Sequence, residues 1–93
     1  MNKISFNQAK QILEACAAVI WGNGFLSNPY FCSDEIIFYH TDEGGMYYRA
    51  AVCESDNEEV KITSNSIVFI NNEGEEEIIT PLIVGNPLEI LNK

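Results

Sequence analysis

Ninety-three residues, 46% of them apolar and 20% charged, make a chain long enough to close one modest core and too short for two. Fourteen acids against five bases give a formal net charge of −9 and a pI near 4.3. That balance argues against direct binding to nucleic acid or to an anionic membrane, both of which need Lys and Arg to displace counterions.

The composition is globular rather than disordered. No apolar run nears the roughly twenty residues of a bilayer span, and "MNKISFNQAK" lacks the basic start and apolar core of a secretory leader. A single cytoplasmic domain over 1–93 is expected. Cys16, Cys32 and Cys53 show no close-spaced pairing, so reduced thiols are the default.

The stretch "SFNQAKQILEACAAVIWGNG" predicts a helix with both ends marked. Ser5 and Gln8 fit a capping box, and Gly22, Asn23 and Gly24 supply residues that commonly end a helix. Phe6, Ala9, Leu13, Cys16 and Ile20 recur at helical spacing and should form the face laid on a sheet. Cys16 is then a core side chain rather than a reactive thiol. "FLSNPYFCSD" reads as a connecting loop, because Asn28-Pro29 favours a turn; its Phe25, Leu26, Tyr30 and Phe31 should cap the end of the core.

From residue 35 the pattern changes to strands. "EIIFYH" and "MYYRAAVC" around "TDEGG" read as one hairpin, and "EVKIT" and "SIVFIN" around Ser64-Asn65 as a second. "EEEIITPLIV" adds a fifth strand, with Pro81 at an edge or at the strand's end. "NPLEIL" predicts a short C-terminal helical turn, capped by Asn86 and opened by Pro87. The expected fold is α+β: one N-terminal helix packed on a four- to five-stranded antiparallel meander.

The acids are unevenly placed. Residues 34 to 77 hold twelve of the fourteen, against only Arg49 and Lys61. In a meander, successive connections alternate between the two ends of the sheet. The links carrying Glu54, Asp56, Glu58, Glu59 and Glu73, Glu75, Glu76, Glu77 should therefore share one end, joined by Asp34 and Glu35, while Asp42 and Glu43 mark the other. Glu75 and Glu77 point to one side of the last strand and Glu76 to the other. Such acidity also serves simply to keep a small protein soluble.

No motif for catalysis, metal or phosphate binding stands out. His40 is the only histidine, which excludes multi-histidine metal sites. "NNEGEEE" and "ESDNEE" lack the ligand order of a calcium loop, and "GNG" and "EGG" lack the strand-to-helix context of a phosphate loop. A non-enzyme without cofactor is expected, with a basic protein as partner.

Three roles fit. The first is a stoichiometric inhibitor whose carboxylates occupy a basic, nucleic-acid-binding groove, held by aromatics such as Tyr47, Tyr48 or Phe31. It is analogous, in size and charge alone, to the small acidic α+β inhibitors of phages and mobile elements that block CRISPR effectors or DNA-repair enzymes. Its candidate residues are Asp42, Glu54, Asp56, Glu58, Glu59, Glu73, Glu75, Glu76 and Glu77. The second is an interaction module, such as an immunity or adaptor protein, using a sheet face or edge, with a homodimer as one form. The third is a small-molecule binder with a cavity around Trp21, Tyr39 and His40.

Overall fold

The computed structural model describes residues 2–16, 18–21 and 24–82. The fold is α+β, with one α-helix and nine antiparallel strands in two sheets among the described residues. The expected C-terminal helical turn around 86–91 lies outside the described residues.

The helix begins where the capping box places it. Ser5 Oγ accepts the Gln8 amide at 3.0 Å, and the Gln8 side chain accepts the Ser5 amide at 2.9 Å, so two amides that a helix start leaves orphaned find partners. Helix α1 (Phe6–Glu14) buries Phe6, Ala9, Ile12 and Leu13 along one stripe. It stops much earlier than its spacing predicts. The Ala15 amide closes it by donating to the Ile12 carbonyl at 3.2 Å and the Cys16 amide to the Leu13 carbonyl at 3.1 Å, and strand β2 (Ala18–Trp21) follows.

The reason lies in "AVIW". These β-branched and aromatic residues favour a pleated surface, and β2 has strands on both sides to pair with: β9 (Glu76–Leu82) and β3 (Phe25–Ser27). Val19 and Trp21 turn inward, whereas Ile20, placed by the helical reading on the core face, turns to the opposite side. Cys16 stays half-buried, its Sγ 3.1 Å from the Ile12 carbonyl, and burial pushes its thiol up to about 11.

Strand β1 (Asn2–Ile4) pairs with β7 (Asn57–Ile62), which continues to β8 (Ile67–Asn71) and β9. The larger sheet thus runs β1-β7-β8-β9-β2-β3. Because every neighbour is antiparallel, β1 and β2 point the same way, and α1 is the crossover that carries the chain past the three strands between them. The smaller sheet is β4 (Tyr30–Phe31), β5 (Glu35–Thr41) and β6 (Tyr47–Cys53).

The single meander of four or five strands is therefore replaced. Its two hairpins exist, but in different sheets, and the greasy segment expected to be a loop supplies β3 and β4 on either side of Asn28-Pro29. Phe25 and Phe31 pack on the core as expected, while Leu26 and Tyr30 stay 54% and 64% exposed. Pro81 sits beyond the last β8 partner of β9, at the strand's end, where a missing N–H breaks no ladder on that side.

One core joins all of this. Val60, Ile62, Ile67, Phe69, Ile79, Val19 and Trp21 of the larger sheet meet the helix stripe and Ile36, Phe38 and Val52 of the smaller sheet. The sheets are stitched where β3 meets β5: buried Ser27 accepts the Tyr39 amide through its Oγ at 2.9 Å. No described helix is long and apolar enough to cross a membrane.

Ser5→Ala removes the capping acceptor and should lower unfolding stability by about 1 kcal/mol. Asn7→Ala, on the solvent side, should stay within about 0.5 kcal/mol of the parent. Urea unfolding followed by Trp21 fluorescence measures both; equal midpoints for S5A and the parent would contradict the capping role.

Candidate functional site

Two backbone hydrogen bonds assemble the acidic links. The β6–β7 connection, a short 3-10 turn over Glu54–Asp56, receives the Asn72 amide of the β8–β9 turn on the Asp56 carbonyl at 3.0 Å. Its Glu54 amide donates to the Asp34 carbonyl, just before β5, at 2.8 Å. Three segments distant in sequence thus lie side by side, and they carry Asp34, Glu35, Glu54, Asp56, Glu58, Glu59, Glu73, Glu75, Glu76 and Glu77, ten of the fourteen acids.

These carboxylates are not equivalent. Glu59 is ion-paired with Lys3 at 2.9 Å and Lys61 at 3.5 Å, and chiefly the Lys3 hydrogen bond holds it below the usual carboxylate range. Glu75 accepts the Asn71 side-chain amide at 3.0 Å, and Asn71 Oδ1 in turn takes the Glu73 and Glu75 amides, which fixes the turn around Gly74. That turn needs the positive φ of 82° at Gly74, which glycine adopts freely. Glu35 accepts the Cys53 thiol at 3.3 Å, which together with burial raises that thiol above its ordinary value and keeps it protonated at neutral pH. Glu54, Asp56, Glu58, Glu73 and Glu76 are exposed.

Glu77 is different again. It lies directly across from Phe69 and alternates with buried Ile79, so it faces inward at the acidic end of the core. Partial burial raises its carboxyl pKa above the ordinary 4.5, and among the described residues no hydrogen bond or ion pair reaches it. It lines a cleft of about 280 Å³ between β6 and the β8–β9 hairpin, together with Val52, Cys53, Asp56, Asn57 and Phe69. Asn57 Oδ1 is buried, and among the described residues no donor reaches it.

The remaining candidates lie elsewhere. Asp42 is at the far tip of the β5–β6 hairpin, about 20 Å of strand from Cys53. Its Oδ1 accepts the Met46 amide at 2.9 Å and its Oδ2 the Tyr48 hydroxyl at 3.1 Å. The Met46 bond chiefly depresses its pKa, and the same Tyr48 hydrogen bond raises the phenol's. Tyr48 stacks on Phe25 at 5.0 Å and closes the core edge, whereas Tyr47 is exposed and stacks on Tyr39 at 6.5 Å. Phe31 faces the core opposite Ile36. The acidic links and the three named aromatics therefore do not form one surface.

Trp21, Tyr39 and His40 do not converge on a cavity either. Trp21 is buried against Phe25 and Phe38, and Tyr39 lies on the opposite face of β5 from His40. His40 Nδ1 lies 3.0 Å from the Leu26 carbonyl and must donate to it, since a carbonyl only accepts. Among the described residues, no group of three His, Cys, Asp or Glu side chains is spaced to hold a metal ion.

Comparison with family models, curated proteins and solved structures finds no match. Sequence reasoning missed the cleft, although alternation carried a signal: with Ile79 inward, Glu77 two residues earlier must also turn inward. Asn57 gave no such sign.

Glu77→Gln should stabilise the fold at neutral pH. A raised folded pKa means that the penalty of burying the charge is absent below the unfolded value and complete above the folded one. Unfolding at pH 7.5 should give the variant the higher midpoint, and the advantage should vanish as pH falls through and below the ordinary carboxyl value. At the other tip, Asp42→Ala should reduce the hydrogen-exchange protection of the Met46 amide. Because the Asp42 pKa is depressed, the parent should lose the same protection only as pH falls through that lowered value. Unchanged protection in the variant would contradict the tip contact.

Proposed function

We propose that this protein is a small, non-catalytic inhibitor that binds a basic surface of another protein, with its carboxylates standing where nucleic-acid phosphates would lie. The observation that carries the reading is the junction of the acidic links through Asn72, Asp56, Glu54 and Asp34. Like charges held together repel and subtract from stability, and a cationic partner removes that repulsion on binding. Opposite charge also steers encounter and speeds association. The residues assigned to the contact are Glu54, Asp56, Glu58, Glu73, Glu75, Glu76 and Glu77. Glu59, already neutralised by two lysines, contributes less, and Asp42 belongs to the tip.

A second reading rests on a separate surface. On the outer face of β4-β5-β6, Tyr30, Tyr39 and Tyr47 are 64%, 37% and 57% exposed and surround exposed Arg49, which lies directly across from Tyr39. Tyr and Arg are the residue types that anchor protein interfaces, so this face suits an adaptor-type contact or a self-association. Leu26 and Ile78, exposed at 54% and 50%, lie on the larger sheet instead.

The two readings separate by salt. In capture of partners from the source cell at 50 and 300 mM salt, the acidic-pole reading expects recovery of nucleic-acid enzymes at low salt only. Combined reversal of Glu58, Glu73, Glu75 and Glu76 to lysine should then weaken binding at least a hundredfold, while Tyr39→Ala leaves it within about threefold. A salt-resistant partner lost with Tyr39→Ala and kept by the charge reversals would overturn the first reading in favour of the second.

A further inference from the structure

The cleft beside Glu77 has a combination of properties that the exposed acids do not share. Its carboxylate is partly withdrawn from water and, among the described residues, unpaired, and Val52, Phe69 and Asn57 complete its lining. A buried acceptor left without a partner is costly, and native folds rarely keep one without a reason. β6, which forms one wall, is an edge among the described strands of its sheet, so some of its N–H and carbonyl groups lack a ladder partner there.

These features select the occupant. The side chain left unpaired in the cleft is a carboxylate, which accepts, so the ligand must donate. The charge on Glu77, with Asp56, Glu75 and Glu76 around the mouth, requires a cation. A metal ion would need at least three converging ligands, which the described residues do not provide. An ammonium is a compact, strongly hydrated point charge; a guanidinium is planar, weakly hydrated and offers five donors in a fixed fork that several carboxylates can share. At about 280 Å³ the cleft lies just below the roughly 300–1,000 Å³ of drug-sized ligand sites, a size for a single side chain.

We propose that the cleft receives one arginine side chain of the partner, its guanidinium donating to the Glu77 carboxylate and, at the mouth, to the neighbouring carboxylates of Asp56, Glu75 and Glu76. In naming a partner's side chain as the occupant, this rests on the acidic-pole reading above. It divides the work at that pole: the exposed carboxylates attract a basic surface, and the cleft reads one residue of it. Loss of the guanidinium charge should matter more than loss of any single exposed acid, because a charge-assisted hydrogen bond in a partly desolvated site is stronger than a solvated ion pair.

The test is an NMR titration of the labelled protein at low salt with N-acetyl-arginine methylamide, its citrulline counterpart as the neutral isostere, and its lysine counterpart. The arginine compound should shift the Cys53, Asn57 and Glu77 resonances saturably. Citrulline should leave them in place, and lysine should bind several-fold more weakly. Glu77→Gln, which should fold at least as well as the parent, should weaken arginine binding about tenfold or more, and Glu73→Gln should leave it within about twofold. Equal response to citrulline, or an unchanged affinity in Glu77→Gln, overturns the proposal. A parallel titration with an oligolysine peptide separates the two levels. Salt-sensitive oligolysine binding without any arginine response at the cleft overturns the cleft alone, whereas saturation of the cleft by arginine with no oligolysine binding overturns the acidic pole and leaves the cleft standing.

Discussion

The hydrogen bonds from Asn72 to Asp56 and from Glu54 to Asp34 join neutral peptide groups, yet they determine where charge accumulates. Each link is an ordinary connection between strands, and each could be acidic without consequence if it projected alone into water. Docked to one another, they place most of the protein's carboxylates on one pole. What holds them there is not electrostatic. It is backbone pairing supported by a core in which both sheets and the helix bury their apolar faces together, and apolar burial contributes far more than solvated charges cost.

The pole is also graded. At its β1 side, Lys3 and Lys61 neutralise Glu59; toward the other sheet, Lys10 Nζ donates to the Cys32 and Ser33 carbonyls at 2.7 and 3.2 Å, close to Asp34. Glu77, by contrast, is partly buried and, among the described residues, unpaired. Uniform solubilising charge would have no need of a carboxylate turned inward, since an inward carboxylate loses hydration and gains nothing for solubility. The inward carboxylate is where local energetics and the rest of the fold disagree, and such disagreements tend to mark function.

What could be read from sequence follows the range over which each feature is decided. The helix start is local, three residues from Ser5 to Gln8, and was legible. Its end was not: Phe6, Ala9, Leu13, Cys16 and Ile20 keep helical spacing straight through residues that form a strand, because Val19-Ile20-Trp21 is short enough to satisfy either period. Only the presence of β9 and β3 decides the matter, and both arrive later in the chain. The two hairpins were legible from their turns, and with them the end on which each acidic link falls. Their division between two sheets was not, since it depends on β1 and β2 flanking β7-β8-β9. Asn57 lies at the register shift between Asn57 and Glu59, an irregularity that no local pattern announces.

The placement of β1 and β2 has a kinetic corollary. Asn2 pairs with Ile62 and Ala18 with Leu82, so β1 and the β9 side of β2 find their neighbours only after some sixty further residues are made. Until then β2 and its aromatic Trp21 have no ladder to join on the β9 side, and loop-closure entropy must be met before those contacts reward it. Assembly should therefore begin in the two hairpins, with the N-terminal strands added last and the nascent amino-terminal segment left open to chaperones or to misassociation during synthesis.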